Sequence, residues 1–239
     1  MGKHNRWWVV AAVILAAGAL GVGSSRADCG MGGSGVKPAS SATPASGTAA
    51  VPASGASGLA LGAAAPERDL KMKSVDGKEY SIASVAGKKG TLVIFTCNHC
   101  PWVKHWQGRI AAIGNAAAAQ GIGVIAINSN DPSQFPEDAY DEMVSRAKQL
   151  GLRFPYVMDA TSDVGRAFGA THTPEAFVFD ADGKLVYHGG VDDNAESERA
   201  VSHAWLHDAM DAVANGRTVA LAETKALGCS IKLRPSATQ

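Results

Sequence analysis

Cys97 and Cys100 stand three residues apart in the run Phe95-Thr96-Cys97-Asn98-His99-Cys100-Pro101. The apolar run Leu92-Val93-Ile94-Phe95 directly before them reads as a buried strand. A strand that hands C-x-x-C to the start of a helix puts both sulfurs within disulfide reach. It also sets the first where backbone N–H groups and the helix dipole favour a thiolate. The chemistry this allows is reversible thiol–disulfide exchange. The competing reading of the pair is a structural disulfide or two inert thiols. The chain has four cysteines, Cys29, Cys97, Cys100 and Cys229. Four over this length is no disulfide scaffold, and the central spacing suits redox turnover better than stapling.

The elements that must position this pair are legible from periodicity and turn residues. Leu70–Lys73 and Glu79–Ile82 flank the turn signal Asp76-Gly77 as an N-terminal β-hairpin. Residues 91–96 form the strand before the motif. Val103, Trp106, Ile110 and Ile113 predict a helix over 100–119 ended by Gly121, and Val124–Ile127 is a second buried strand. A helix over 137–150, with Pro136 before it and Gly151 as its stop, precedes a short strand at 155–158. A short helix at 163–168 has Asp163 as its candidate cap. Ala176–Phe179 and Leu185–His188 flank Asp182-Gly183 as a hairpin, and a last helix is expected over 197–214, followed by an irregular tail. Strands alternating with helices, closed by a hairpin and helix, predict an α/β fold, a central mixed sheet flanked by helices.

The N-terminus differs in composition. Residues 1–27 read as a signal peptide or an N-terminal anchor: Lys3, His4 and Arg6, then the uncharged apolar run Trp7–Gly23, then Ser25-Arg26-Ala27 as a cleavage site before Asp28. Residues 28–65, rich in Ala, Ser, Gly and Pro, bury too little to order themselves and read as a flexible linker. A domain over 66–233 and a tail at 234–239 follow. Export predicts a periplasmic or secreted protein, tethered to the membrane through residues 7–23 if the leader is retained. It also matches the compartment in which disulfides persist. With 22 Lys+Arg against 22 Asp+Glu and no basic cluster, the footprint of a nucleic-acid binder is absent.

The motif, together with Thr171-His172-Thr173-Pro174-Glu175, the segment Phe177–Gly183 and Gly189-Gly190-Val191-Asp192-Asp193-Asn194, resembles the thioredoxin-fold redoxins. These include the TlpA/ResA-like oxidoreductases and merge with the peroxiredoxin superfamily. The resemblance covers about residues 66–233 and implies a thioredoxin-like fold with a helix–strand insertion, working without a cofactor. It implies Cys97 as the more exposed nucleophile and Cys100 as the shielded resolving thiol. It implies that His99, as a cation, steadies the Cys97 thiolate and makes the disulfide more oxidising. Pro174 would be cis and face the thiols, so that the Thr173 backbone pairs with an extended substrate. Asn98, Pro101, Thr173 and Glu175 are the implied substrate contacts, and Glu175 or His172 is a candidate proton acceptor for Cys100. The partners implied are thiol or disulfide substrates and a membrane or periplasmic redox partner.

Two departures and one loose end qualify the resemblance. Thr96 stands where thioredoxins carry a tryptophan. The Pro and Thr that precede a peroxidatic cysteine by seven and three residues are missing: Val93 and Cys97 stand there before Cys100, Gly90 and Ile94 before Cys97. A thiol-dependent peroxidase is therefore the second reading. A copper-handling, Sco-like chaperone is the third, with His172 or His188 closing a site on the soft thiolates. Cys229, in Gly228-Cys229-Ser230-Ile231-Lys232, is an auxiliary thiol that relays a disulfide with Cys97, pairs with Cys29, or stays free.

Overall fold

The central strands are apolar in unbroken runs, so the sheet must be covered on both faces. The computed structural model describes residues 58–236. Its strands are β1 (Met72–Ser74), β2 (Glu79–Tyr80), β3 (Gly90–Phe95), β4 (Ile122–Asn128), β5 (Tyr156–Met158), β6 (His172–Thr173), β7 (Glu175–Asp180), β8 (Leu185–Gly189) and β9 (Cys229–Ser230). The helices are α1 (Ile82–Val85), α2 (Pro101–Ala117), α3 (Tyr140–Leu150), α4 (Asp163–Phe168) and α5 (Trp205–Ala214). Seven strands form one sheet in the order β2-β1-β5-β4-β3-β7-β8. β3 runs parallel to β4 and β4 to β5, while β7 is antiparallel to β3 and β8. This is the mixed sheet of a thioredoxin-like α/β fold.

Alternation of side chains along each strand sorts the core into two layers. Leu92, Ile94, Val124 and Ala126 pack with Trp106 and Ile110 of α2, Met143 of α3 and Met210 of α5. Val93, Phe95, Ile125 and Ile127 pack on the other face with Ile82 of α1 and with Val164 and Phe168 of α4. There Phe95, Phe168 and Phe177 meet edge to face at 5.1–5.7 Å, the preferred aromatic geometry. The first layer fixes the far side of the motif helix: Asp192 accepts from Trp106 Nε1 at 2.7 Å and from the Arg109 guanidinium.

Several sequence expectations are corrected here. Residues 58–65, expected as linker, lie on the domain: Leu59 N donates to Phe168 O at 3.2 Å and Gly62 N to Leu185 O at 2.8 Å. The second hairpin strand stops at Tyr80, because Ser81 caps α1 through a reciprocal bond with Ser84. Asp163 does not cap α4. The first-turn amide of Gly165 is taken by Asp159 Oδ2 at 3.0 Å, while Ser162 in the cap position bonds Ser129 instead. Residues 197–204 are not α-helical, since Asn194 and Asp193 side chains capture the amides of Ser197 and Ser202. The signal or anchor, most of the linker, Cys29 and the last three residues lie outside the described residues. Among the described residues no helix is long and apolar enough to cross a membrane.

Candidate active site

The end of β3 and the start of α2 deliver the two thiols. Thr96 N bonds Ile127 O at 2.9 Å, which ties the chain to β4 until the residue before Cys97. Cys100 then occupies the N-cap position of α2, Pro101 fills the first helical position that needs no amide hydrogen, and Lys104 N bonds Cys100 O at 3.1 Å. Both sulfurs converge on one residue: Cys97 Sγ lies 3.1 Å from Thr173 Oγ1, and Cys100 Sγ donates to Thr173 O at 3.3 Å. The Thr173–Pro174 bond is cis. Cys97 is the outer sulfur only marginally, at 3% exposure against 0% for Cys100.

The contact between the two thiols dominates their electrostatics. Cys97 and Cys100 contact one another and are shifted in opposite directions. The contact with Cys97 pulls Cys100 down to about 4; burial opposes this, and the Cys229 side chain and the Val103 and Cys229 amides assist. The same contact, with burial and the Asp138 charge, pushes Cys97 up. A thiolate on either sulfur is held by a hydrogen bond from the other thiol. Beyond that contact, Asp138 acts on Cys97 and Cys229 on Cys100, and neither is near in sequence.

Asp138 is the functional residue that sequence reading missed. It is fully buried on a short turn after Pro136. Its Oδ1 accepts from Asn98 N at 2.6 Å and His99 N at 3.2 Å. Its Oδ2 bonds His99 Nδ1 at 2.6 Å and accepts from Asn130 Nδ2 at 2.8 Å. His99 also stacks on Phe135 with ring centroids 3.9 Å apart. His99 is thus a fixed ring paired with a carboxylate. Asn98, expected as a substrate contact, is buried: its Nδ2 bonds Glu137 O and its Oδ1 accepts from Tyr156. Only a run of carboxylate-flanked turn residues at 137–138 signalled anything here, and it read as helix start.

Glu175 is likewise corrected from surface contact to internal brace. It is 2% exposed. Oε2 accepts from Thr171 N at 2.7 Å and His172 N at 2.9 Å, and Oε1 bonds His188 Nε2 at 2.7 Å. These bonds hold the turn that presents Thr173; none of them goes to Cys100. Burial pushes the Glu175 carboxyl up, but His188 and the two amides outweigh it, so its pKa lies below the usual glutamate value. Its stabilisation is full above the unfolded pKa of about 4.3 and vanishes as pH falls through the lowered folded value. Glu175→Gln should therefore lower the urea midpoint at pH 7 and match wild type much more closely at pH 3; an equal gap at both would refute this.

His172 and His188 do not close a copper site. His188 is bonded to Glu175 and stacked on Phe177 at 4.4 Å, and His172 Nδ1 bonds Thr171 Oγ1. Among the described residues the one group with metal-ligand spacing is Cys97, His99 and Asp138. Both carboxylate oxygens of Asp138 are already spent there. Nor do the large clefts hold the chemistry. One of about 860 Å³ is lined by Lys88, Asp180 and Arg217, and one of about 490 Å³ by Arg109, Asp192 and Met210. The cavity at Cys97 measures about 30 Å³, enough for a water and no substrate. Pro101 is exposed at the helix start, and Trp102 is 41% exposed beside it. The tail, expected as irregular, returns to the site: β9 pairs with β6, with Cys229 opposite Thr173.

The Redoxin family model matches residues 60–204. The chain is 26% identical over 127 residues to the thiol-disulfide oxidoreductase ResA of Geobacillus thermodenitrificans, over 53% of this chain and 67% of that protein. It is 25% identical over 129 residues to ResA of Halalkalibacterium halodurans, over 53% and 69%. Its structure is similar to the crystal structure of an uncharacterised conserved protein from Geobacillus kaustophilus, with a TM-score of 0.69 and 38% identity over 74% of this chain and 94% of that one. A hypothetical protein from Sinorhizobium meliloti gives a TM-score of 0.69 and 34% identity over 74% and 97%. Because the family match runs unbroken through both thiols, the Thr173–Pro174 turn and the sheet that brings them together, this chain belongs to the Redoxin family.

Proposed function

We propose that this chain is an exported thiol–disulfide oxidoreductase whose Cys97–Cys100 pair exchanges with disulfides or thiols of protein and small-molecule substrates. The observation that carries the reading is the convergence of both sulfurs on Thr173 at the start of α2. Similarity to two proteins named as thiol-disulfide oxidoreductases supports it. The substrate's disulfide meets Cys97, the outer sulfur. As the Cys97 thiolate, held by the Cys100 thiol, bonds a substrate sulfur, the other substrate sulfur leaves as thiolate. That thiolate takes the proton from Cys100, and Cys100 then attacks Cys97 Sγ, closing the disulfide and releasing the reduced substrate. A membrane or periplasmic dithiol partner returns the pair to its reduced state. Pro101 and Trp102 form the apolar rim for a protein substrate. Insulin reduction with dithiothreitol tests the reading: equal turnover by wild type and Cys97→Ser would end it.

His99 and Asp138 set the poise together. Removing the ring leaves the Asp138 charge facing Cys97 without its partner, which disfavours the thiolate and hence the reduced form. His99→Ala should make the potential more negative by roughly 30 mV, a tenfold change in the exchange constant with a thiol couple. An unchanged or less negative value would reject this role. Export rests on residues 1–27; intact mass of the exported protein should begin at Asp28.

A further inference from the structure

Cys229 sits in the place where a substrate would be expected. The sequence reading gave the Thr173 backbone to an extended substrate, but that backbone is occupied by the chain itself. β9 pairs antiparallel with β6, His172 opposite Ser230 and Thr173 opposite Cys229, and Ile231 N bonds Thr171 O at 2.9 Å. The approach depends on glycine: a Cβ on Gly228 would lie 2.0 Å from Thr173 O and 3.3 Å from Pro174 N. The strand is stitched on both sides. Thr224 N bonds His188 O at 3.0 Å and Thr224 Oγ1 accepts from Gly190 N at 3.0 Å. Beyond it, Lys232 N bonds Asn130 Oδ1 at 2.7 Å, Asp131 N bonds Lys232 O at 2.7 Å, and Arg234 bonds Asp159 O at 2.8 Å. The tail residues that make these contacts, 224–234, lie past residue 204, outside the family match.

The cysteine so placed packs against Cys97, Cys100 and Val103, yet it is the only one of the three described thiols that is not buried. Among the described residues the three sulfurs do not form a group in which each lies within 4.8 Å of the other two. The contact is with Cys100, which sits between its partners.

We propose that Cys229 is a third member of the redox centre, taking over the disulfide from Cys97 to form a Cys100–Cys229 bond at the surface, where an external dithiol reduces it. This rests on the oxidoreductase reading above. In the step, the Cys229 thiolate attacks Cys100 Sγ; the Cys97–Cys100 bond breaks, and Cys97 leaves as thiolate and takes up the proton Cys229 gave. One disulfide replaces another with no net change in oxidation. The external dithiol then supplies two electrons and two protons, becoming a disulfide itself. The surroundings gate the step. In the reduced state burial, and then the Cys100 contact and charge, push Cys229 up to about 11 against the pull of Lys232. Once Cys100 is in a disulfide its charge is gone, and the Lys232 pull is opposed by burial alone.

The test uses the full chain, oxidised with glutathione disulfide, quenched in acid and mapped by peptide mass. In Cys97→Ser the major product should be a Cys100–Cys229 bond. Recovery of Cys100 free, bound to glutathione or joined to Cys29 would overturn the proposal. In Gly228→Ala added to Cys97→Ser, the same bond should be lost with the sulfur still present; its survival would overturn the placement. Oxidised Cys229→Ser should be reduced by glutathione about tenfold more slowly than wild type, and equal rates would also overturn it. Insulin turnover by Cys97→Ser separates the two readings: lost turnover without the Cys100–Cys229 bond leaves the oxidoreductase and removes the relay, whereas retained turnover removes the oxidoreductase itself.

Discussion

Cys100→Ser is expected to accumulate substrate on Cys97 as a stable mixed disulfide, while Cys97→Ser loses turnover by roughly a thousandfold or more. The two results differ because the thiols have different neighbours. Cys97 has Thr173 Oγ1 and Cys100 within reach, so without Cys100 no described thiol stands ready to free a substrate from it; Cys229 contacts Cys100. Cys97→Ser keeps the Cys100 sulfur on the chain but hides it at 0% exposure behind the helix start. Loss of the Cys97 sulfur also removes the contact that most lowers Cys100, so the remaining thiol should titrate closer to an ordinary cysteine. Gel-shift after alkylation reads the first outcome and insulin turnover the second. A Cys100→Ser chain that releases product as fast as wild type would show that Cys97 does not need its neighbour.

The largest loss of stability is expected for Asp138→Ala. Four donors end on this carboxylate inside the protein: two amides of the motif, the His99 ring and the Asn130 amide. Removing it strands all four away from water, and losing one partner of a buried charged network costs about 3–5 kcal/mol. Urea unfolding followed by tryptophan fluorescence checks this; a loss under about 1 kcal/mol, the worth of a single ordinary hydrogen bond, would contradict it. Asp138→Asn gives a reading that survives even if the alanine variant fails to fold. It keeps the size and removes the charge that works against a Cys97 thiolate. The reduced form is then favoured and the potential should become less negative, opposite in sign to His99→Ala. Shifts in the same direction would disprove the paired role of the two residues.

The thiol pair and its supporting strand and helix were legible because each announces itself locally. Leu92–Phe95 is an unbroken apolar run, and Val103, Trp106 and Ile110 repeat on one helical face. Gly151 and Gly183 take positive φ at a helix end and a hairpin turn, as their positions imply. What stayed hidden was long-range. Asp138 and Asn130 reach the motif only because the β4 crossover returns there, and nothing in a turn sequence reports that. β6 and β9 are two residues each, too short for a period. Asn98 and Glu175 looked like surface polar residues, since burial of a polar group shows only once its partners are placed. The Asp138 neighbour of Cys97 and the Cys229 neighbour of Cys100 were hidden for the same reason, 41 and 129 residues away in sequence.

Gly228 and the strand after it also answer a hazard that any exchange site of this kind carries. Without β9, β6 would leave the His172 and Thr173 backbone groups unpaired beside two reactive sulfurs. A bare strand edge templates pairing with other chains, and here each pairing would bring a foreign chain within reach of a covalent link. Covering that edge from within keeps the protein from polymerising through its own chemistry. Residues 228–231, unremarkable in composition, thus shield the backbone edge that lies beside the thiols.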